Sequence, residues 1–474
     1  MNDKEKELEI FENMPIGKAV RSLAVPTVIS QLVMLAYNLA DTFFLGQTGD
    51  SRQVAAVTLC FPIFMMIGTI SNLFGIGGGS LASRLLGEKK AKEAGSVSTY
   101  VLWAGTAAAG VMAVIVSILM SRILRIMGAD EDTYGYAVEY IRYTVIIGGI
   151  PSVLNQILAQ LTRAKGNARA ASFGVSMGGI INIVLDPILI LGLHMNVAGA
   201  ALATCISNTI AMVYYLILFY KTRNSSLFET RLFAKMPERA YIRQIFAIGT
   251  PAALTVFLAS ISNSLMMNLM SGYSSSAIAG LGIAQRIELI PFYVVQGISS
   301  GVLPLLAYNY ASGNYQRMDD AVKTALKSGV IIAAAAFVII EITAPYMVRG
   351  FIADTGTIGF GASFTRLRCL ALPFITVEFM LIAVFQAIGS AKQAFVLSFF
   401  RKGILDLPIL LLLNWIWPLY GLMLVQPLME FMGSVIAALM YRKQHREQIE
   451  QTKLFSNEIV KKKEYAPIGE LKKV

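Results

Sequence analysis

Apolar residues fill this chain in long blocks separated by short polar turns. Twelve blocks reach the about 20 residues that a helix needs to cross a bilayer: 19–45, 54–82, 96–121, 136–162, 169–192, 198–220, 243–270, 277–305, 321–347, 362–388, 394–416 and 420–441. The pattern predicts an all-α integral membrane protein with twelve transmembrane helices. The gaps are too short for a separate soluble domain. One gap, 221–240, reads as a linker between a first half (15–220) and a second (241–441), with tails at 1–14 and 442–474.

The halves repeat one another. Pro26 in Ala24-Val25-Pro26 corresponds to Pro251 in Gly249-Thr250-Pro251, and Leu81-Ala82 before Gly87 to Leu306-Ala307 before Gly313. Pro151 corresponds to Pro373, Gly166 to Gly389, Asp186-Pro187-Ile188-Leu189 to Leu407-Pro408-Ile409-Leu410, and Gly199 to Gly421. The offsets stay between 221 and 226, as a duplication requires. Six spans per half send both copies through the membrane in the same direction. That predicts two pseudo-twofold-related six-helix lobes, with a substrate path in or between them. Gly75, Gly77, Gly78 and Gly79 allow close helix approach or bending.

Composition supports the class. Of 474 residues, 55% are hydrophobic and 15% charged, with mean hydropathy +0.62; a soluble chain of this length needs more polar residues to cover itself. The net charge of +11 could suggest a nucleic-acid partner, but its distribution argues against one. With the N-terminus in the cytoplasm, only Arg52, Arg122, Arg125 and Arg349 fall in outer loops, and Arg142, Arg286, Arg366 and Arg368 in spans. The other basic residues lie on the inner side, the bias that fixes orientation. Both termini are therefore expected in the cytoplasm, with the basic tail after Tyr441 solvated, lipid-facing or disordered. Cys60, Cys205 and Cys369 all lie in spans and the only histidines, His194 and His445, lie outside them; nothing here suggests a disulfide or a metal-cofactor site. Asp3, Glu5, Glu7 and Glu9 differ from the basic start of a cleavable signal, so the first span is expected to stay.

Against this background the isolated acids stand out. Asp186 interrupts the run Ile180-Ile181-Asn182-Ile183-Val184-Leu185-Asp186-Pro187-Ile188-Leu189-Ile190, and Asp41 ends another such run. A carboxylate at membrane depth costs about 2.5–3.5 kcal/mol on insertion scales and marks a functional position. Binding a cation, binding a proton, or exchanging the two are the uses that fit, and they point to a transporter. Asn182 and Asp186 are four apart and share a helix face. Pro187 cannot donate to the carbonyl of Ile183, which leaves an extra acceptor one turn away. Thr204 and Asn208 form a similar pair, and Tyr37, Asn38 and Asp41 fall within about a turn. Carboxylates with amide and hydroxyl oxygens suit Na⁺ or a shared proton.

The second half offers a rival set. Glu288, Glu378, Asp406 and Glu430 lie well inside spans, and Glu288 is close in sequence to Arg286, as in an internal ion pair. Asp406, and Glu430 with Gln426, read as cavity lining or helix glue. Met34, Met266 and Phe292, with Tyr37 and Asn38, supply flexible and aromatic surface of the kind that suits varied organic cations. An integral-membrane enzyme would need a nucleophile, metal or His cluster at membrane depth, and none is visible. No Gly-x-x-x-x-Gly-Lys-Ser/Thr loop is present either.

Leu45-Gly46, Gly166-Asn167, Ser83-Arg84-Leu85-Leu86-Gly87, Pro304-Leu305-Leu306-Ala307-Tyr308-Asn309-Tyr310 and the segment Asn182 to Ile190 together resemble the multidrug and toxic compound extrusion (MATE) family, in its bacterial MepA-like branch. The resemblance covers about residues 12–442. It implies two lobes forming a V around a central cavity, in a bacterial cell (inner) membrane. It implies export of amphipathic, often cationic compounds driven by inward H⁺ or Na⁺, with no cofactor and no enzymatic activity. Asp41, Asn182, Asp186 and Thr204 fall at positions resembling the family's N-lobe cation site, joined by Tyr140 or Tyr143. Were the coupling ion Na⁺, Asp41, Asn182 and Asp186 would be its ligands. Some relatives carry Asn in place of Asp41, so this chain has the fully acidic version. Glu378 resembles, within one position, an acid that other branches use for Na⁺ coupling. Partners are expected to be small substrates and membrane lipid, with the chain acting as a monomer. The alternative is a flippase for lipid-linked saccharides on a related fold, which would need a cavity rich in Arg and Lys.

Overall fold

The computed structural model describes residues 3–222, 235–270, 272–352, 354–399 and 406–464. Among these residues the regular structure is entirely helical. A short helix, α1 (Asp3–Glu12), precedes the spans. The first half runs through α2 (Ile16–Gly46), α3 (Ser51–Gly87), α4 (Ala91–Ile126), α5 (Glu131–Ile141), a π-helical turn (Arg142–Ile147), α6 (Gly149–Ala164), α7 (Ala168–Asp186), a second π-turn (Pro187–Gly192) and α8 (Asn196–Lys221). The second half runs through α9 (Arg239–Met270), α10 (Ser275–Ala311), α11 (Tyr315–Arg349), α12 (Thr355–Cys369), α13 (Leu372–Ala387), α14 (Ala391–Phe399), α15 (Asp406–Ile416) and α16 (Tyr420–Glu464).

Short polar side chains start these helices by accepting from otherwise orphaned backbone N–H groups. Asp50 accepts from Arg52 N, Asn167 from Ala170 N, Asn314 from Arg317 N and Asp354 from Thr357 N. Asp130 and Thr133 form a reciprocal capping box at the start of α5. The fourth expected span is bent by 48° between its π-turn and α6, and the tenth by 43° between α12 and α13. The bends fall just before Pro151 and Pro373, so the duplication extends to backbone shape. The eleventh expected span appears as α14 and α15 flanking residues 400–405, which lie outside the described residues, as does most of the expected linker.

Helices α2–α8 form one lobe and α9–α16 the other. They touch chiefly along two seams, α2 against α10 and α3 against α9, with α3 also meeting α10 between them. Both seams lie at the end of the bundle where α2 begins, α3 ends, α9 begins and α10 ends. Glycine makes the contact possible. A Cβ on Gly249 would run into the Leu73 backbone, one on Gly77 into Ile245 and Gly249, one on Gly301 into Leu23 and Ala24, and one on Gly297 into Val28. Of the four clustered glycines in α3, only Gly77 serves a seam; Gly75 and Gly79 face Gln160 of α6, and Gly78 faces Val101 of α4. Ser80 Oγ adds a hydrogen bond across the lobes to Gln386 O at 2.5 Å. Farther from this end, α3 and α9 leave a cavity of about 200 Å³ lined by Pro62, Met65, Met66, Thr69, Phe257, Ser260 and Ile261.

Both tails contain helix. Residues 442–464 continue α16 as helix; they contain neither Gly nor Pro and are rich in Lys, Arg, Glu and Gln, which favour helix. The N-terminal tail forms α1, which leads into the first lobe yet docks on the second. Phe11 is fully buried and stacks on Tyr308, with ring centroids 4.8 Å apart. Arg317 donates to the carbonyls of Phe11 at 2.6 Å, Met14 at 2.7 Å and Ile10 at 3.1 Å. The signal was present as Leu8, Phe11 and Met14 at a spacing of three.

Two outcomes check this architecture. Arg317→Ala should release α1, raising amide exchange over residues 8–14 while α2 stays protected; unchanged protection would contradict the docking. Gly249→Leu should wedge the seam open, so spin labels at the seam ends of α3 and α9 should report a longer mean distance than in the native chain. The same distance in both would show that the seam tolerates a side chain there.

Candidate cation-binding site

Three helices of the first lobe bring the isolated acids together. Asp41 stands near the far end of α2, Asn182 and Asp186 on the last turns of α7, and Thr204 in α8. Asp186 is fully buried, and neither of its oxygens has a hydrogen-bond donor. The Asp41 carboxyl adjoins it at hydrogen-bonding range. Asn182, with its amide oriented to satisfy both ends, donates to Asp41 Oδ1 at 3.2 Å and accepts from Thr204 N at 3.2 Å. The Thr204 hydroxyl lies 3.4 Å from the same amide.

The local backbone is built around these residues. Both π-turns of the lobe begin directly after a site segment, one just past Tyr140 and one at Pro187. Pro187 has no N–H to continue the α-helical ladder, and the wider turn closes with Leu193 N donating to Ile188 O at 2.8 Å. In the other, Gly148 N donates to Tyr143 O at 2.9 Å. Single π-turns of this kind are frequent at functional sites. Sequence reading found the proline but missed both turns, because nothing in composition separates an i→i+5 from an i→i+4 bond.

Tyr140 and Tyr37 both lie within electrostatic reach of Asp41. Of the two tyrosines left open by the sequence, Tyr140 is thus the one beside the acid, while Tyr143 sits half-buried in the π-turn. Tyr37 in turn neighbours Tyr293 of the second lobe, so the site borders the interface. Asn155, which sequence reading missed, extends the network. Its Nδ2 donates to Asn208 Oδ1 at 2.8 Å, and Asn208 Nδ2 donates to Thr204 O at 2.9 Å. The amides Asn155, Gln156 and Gln160 in the largely apolar α6 were the available signal. Asn38 is exposed and bonds back to Met34 O at 2.7 Å, with Met34 half-buried.

The second-lobe residues are arranged differently from expectation. Glu288 pairs with Arg368 at 2.9 Å, whereas Arg286 is exposed. Residues two apart on a helix point to different faces, so Arg286 cannot reach its sequence neighbour. Met266 does not line the central cavity: it is buried in the second-lobe core with Met270, Ala277 and Leu281. Phe292 packs edge-on against Phe379 inside the same lobe. Glu378 is buried on α13 with its carboxyl against Gly433 of α16, where no Cβ would fit. Asp406 and Glu430 are buried on α15 and α16. None of these acids joins Asp41 and Asp186.

The MatE family model matches the chain twice, over residues 26–188 and 251–412, one match per lobe. The multidrug export protein MepA of Staphylococcus haemolyticus is 32% identical over 419 residues, covering 88% of this chain and 91% of that protein. MepA of Staphylococcus saprophyticus is 30% identical over 420 residues, covering 88% and 92%. Among solved structures, a MATE transporter in complex with MaL6 superposes with a TM-score of 0.87 at 24% identity, covering 93% of this chain and 98% of that one. An outward-facing multidrug resistance MATE transporter does so with 0.85 over the same shares. With its two halves each matching, this multi-pass membrane chain belongs to the MatE family of transporters, and is not an enzyme.

Proposed function

We propose that this protein is a multidrug efflux antiporter, exporting small amphipathic, mostly cationic compounds in exchange for H⁺ or Na⁺. The observation that carries the reading is Asp186, buried without a donor and facing a second carboxyl. Two facing acids in a low-dielectric setting need a shared proton or a bound cation between them. Asp41 and Asp186 take that role, Asn182 and Thr204 supply the neutral oxygens, and Tyr37 and Tyr140 close the site. The gradient of the coupling ion, acting through this pair, is the energy input. The coupling ion changes the lobe arrangement only through its different affinity for the two states. Substrates enter the cleft between the lobes, where Met65, Met66 and Phe257 offer a deformable apolar wall. The chain works as a monomer in the inner membrane with both termini in the cytoplasm, residues 221–240 linking the lobes.

A flippase would need free cations in the cavity for pyrophosphate. Arg368 is instead consumed by Glu288, and Arg366 lies 3.7 Å from Glu341 and donates to its carbonyl. Of the four span arginines only Arg142 and Arg286 are left exposed, so the basic cavity a flippase needs is reduced and the antiporter is favoured.

Vesicles loaded with a fluorescent dye, with ΔpH and ΔNa⁺ imposed separately, test the proposal. The native protein should move dye under one gradient, and Asp186→Asn should reduce gradient-driven movement by at least about 100-fold, the scale set by the loss of a group essential to the cycle. Undiminished transport by that variant would refute the assignment. In detergent, the native protein should gain thermal stability when the coupling ion is added, because a ligand bound only by the folded state stabilises it. Asp186→Asn should show no such gain.

A further inference from the structure

The duplication allows the two lobes to be compared position by position. At the offset of Pro26 and Pro251, Asp41 corresponds to Met266; at the offset of Gly199 and Gly421, Thr204 corresponds to Gln426. Both counterparts hold the same guanidinium. Arg368 Nη1 lies 3.7 Å from Met266 Sδ, Nη2 donates to Gln426 Oε1, and Nε donates to Glu288 Oε2 at 2.9 Å. Gln426 Nε2 donates to the other Glu288 oxygen, which closes the ring of contacts. The Arg368 and Glu288 side chains are each 7% exposed. At the offset of Pro151 and Pro373, Arg368 corresponds to Ile146, inside the π-turn that follows Tyr140. The second lobe thus places a positive charge where the first lobe presents two acids and no cation.

We propose that Arg368 is a tethered cation, filling in the second lobe the place that an exchangeable ion takes in the first. This rests on the reading of Asp41 and Asp186 as the exchangeable site. A guanidinium cannot deprotonate and, being covalently held, cannot leave. The second-lobe site is therefore permanently loaded, its Glu288 neutralised, and α10, α12 and α16 are held together through the whole cycle. Each chain then carries one exchangeable site of this kind, and Arg368 is the positioning residue that silences the other. Removing the guanidinium should convert Glu288 and Gln426 into a second exchangeable site.

The test uses full-length protein with the first-lobe site silenced by Asp186→Asn. Its thermal midpoint is followed against guanidinium, Na⁺ and pH, with tetramethylammonium as the ionic-strength control. With Arg368 present, the midpoint should not respond to guanidinium or Na⁺ at millimolar concentrations beyond the tetramethylammonium control, and its pH dependence should be unchanged by Glu288→Gln. Adding Arg368→Ala should lower the midpoint, and guanidinium, Na⁺ or acidification should restore it in a saturable manner that tetramethylammonium does not reproduce. Adding Glu288→Gln as well should remove that response. If Arg368→Ala does not yield a monodisperse protein, Arg368→Met in the same background carries the same arms. Two results overturn the proposal: a folded Arg368 variant with no cation response, or an Asp186→Asn protein whose remaining response disappears with Glu288→Gln while Arg368 is intact. A remaining response that survives Glu288→Gln would count against the first-lobe reading instead, and the Arg368 variant would still decide the tethered cation.

Discussion

Asp186 and Asp41 face each other inside an apolar lobe, one wholly buried and the other half so, and apart from the Asp41 carboxyl no donor reaches the buried one. Like charges at this range repel in proportion to the local dielectric, so the pair is stable only when something positive stands between or on them. The features around the pair fit that constraint. Asn182 ties the Asp41 carboxyl to the backbone of α8, the proline after Asp186 forces a wider turn, and a second π-turn follows Tyr140. In the proposed cycle, a site built from three helices in this way would change shape when its charge changes. A carboxylate on the lobe surface would let solvent absorb the difference.

That local change has a route to the lobe interface. Tyr37 stands four residues before Asp41 on α2 and neighbours Tyr293 of α10, while the same two helices form one of the seams through Val28, Gly297 and Gly301. The seams are backbone contacts made possible by glycine and carry few hydrogen bonds between side chains, so parting them exposes little unpaired polarity. Helix α1 adds a second tie at the same end, since it is joined to α2 by three residues yet held by Tyr308 and Arg317 of the other lobe. Opening this end therefore requires α1 to leave its groove or to move with the second lobe.

Much of this was legible in the sequence because the membrane makes exceptions visible. Asp41, Asn182 and Asp186 were identifiable as polar positions in runs that lipid would otherwise exclude, and the paired prolines and glycines carried the duplication. What could not be read was partnership across helices. Glu288 looked like a neighbour of Arg286, but the chain delivers Arg368 from 80 residues away. Met266 looked like cavity surface, yet its face of α9 turns into the lobe core. Tyr140 and Tyr143 are three apart, and only the fold shows that Tyr140 lies within electrostatic reach of Asp41. Asn155 was visible as one of three amides in α6, and only the fold supplies Asn208 as its partner.

The most direct measurement is the distance between the two lobes as a function of the coupling ion. Spin labels on the outer ends of α3 and α9, in native protein embedded in lipid nanodiscs, should sample two distances whose populations shift as protons or Na⁺ are added. With Asp186→Asn the populations should be fixed and unresponsive. A lobe distance that still follows the ion in that variant would contradict the account at its centre.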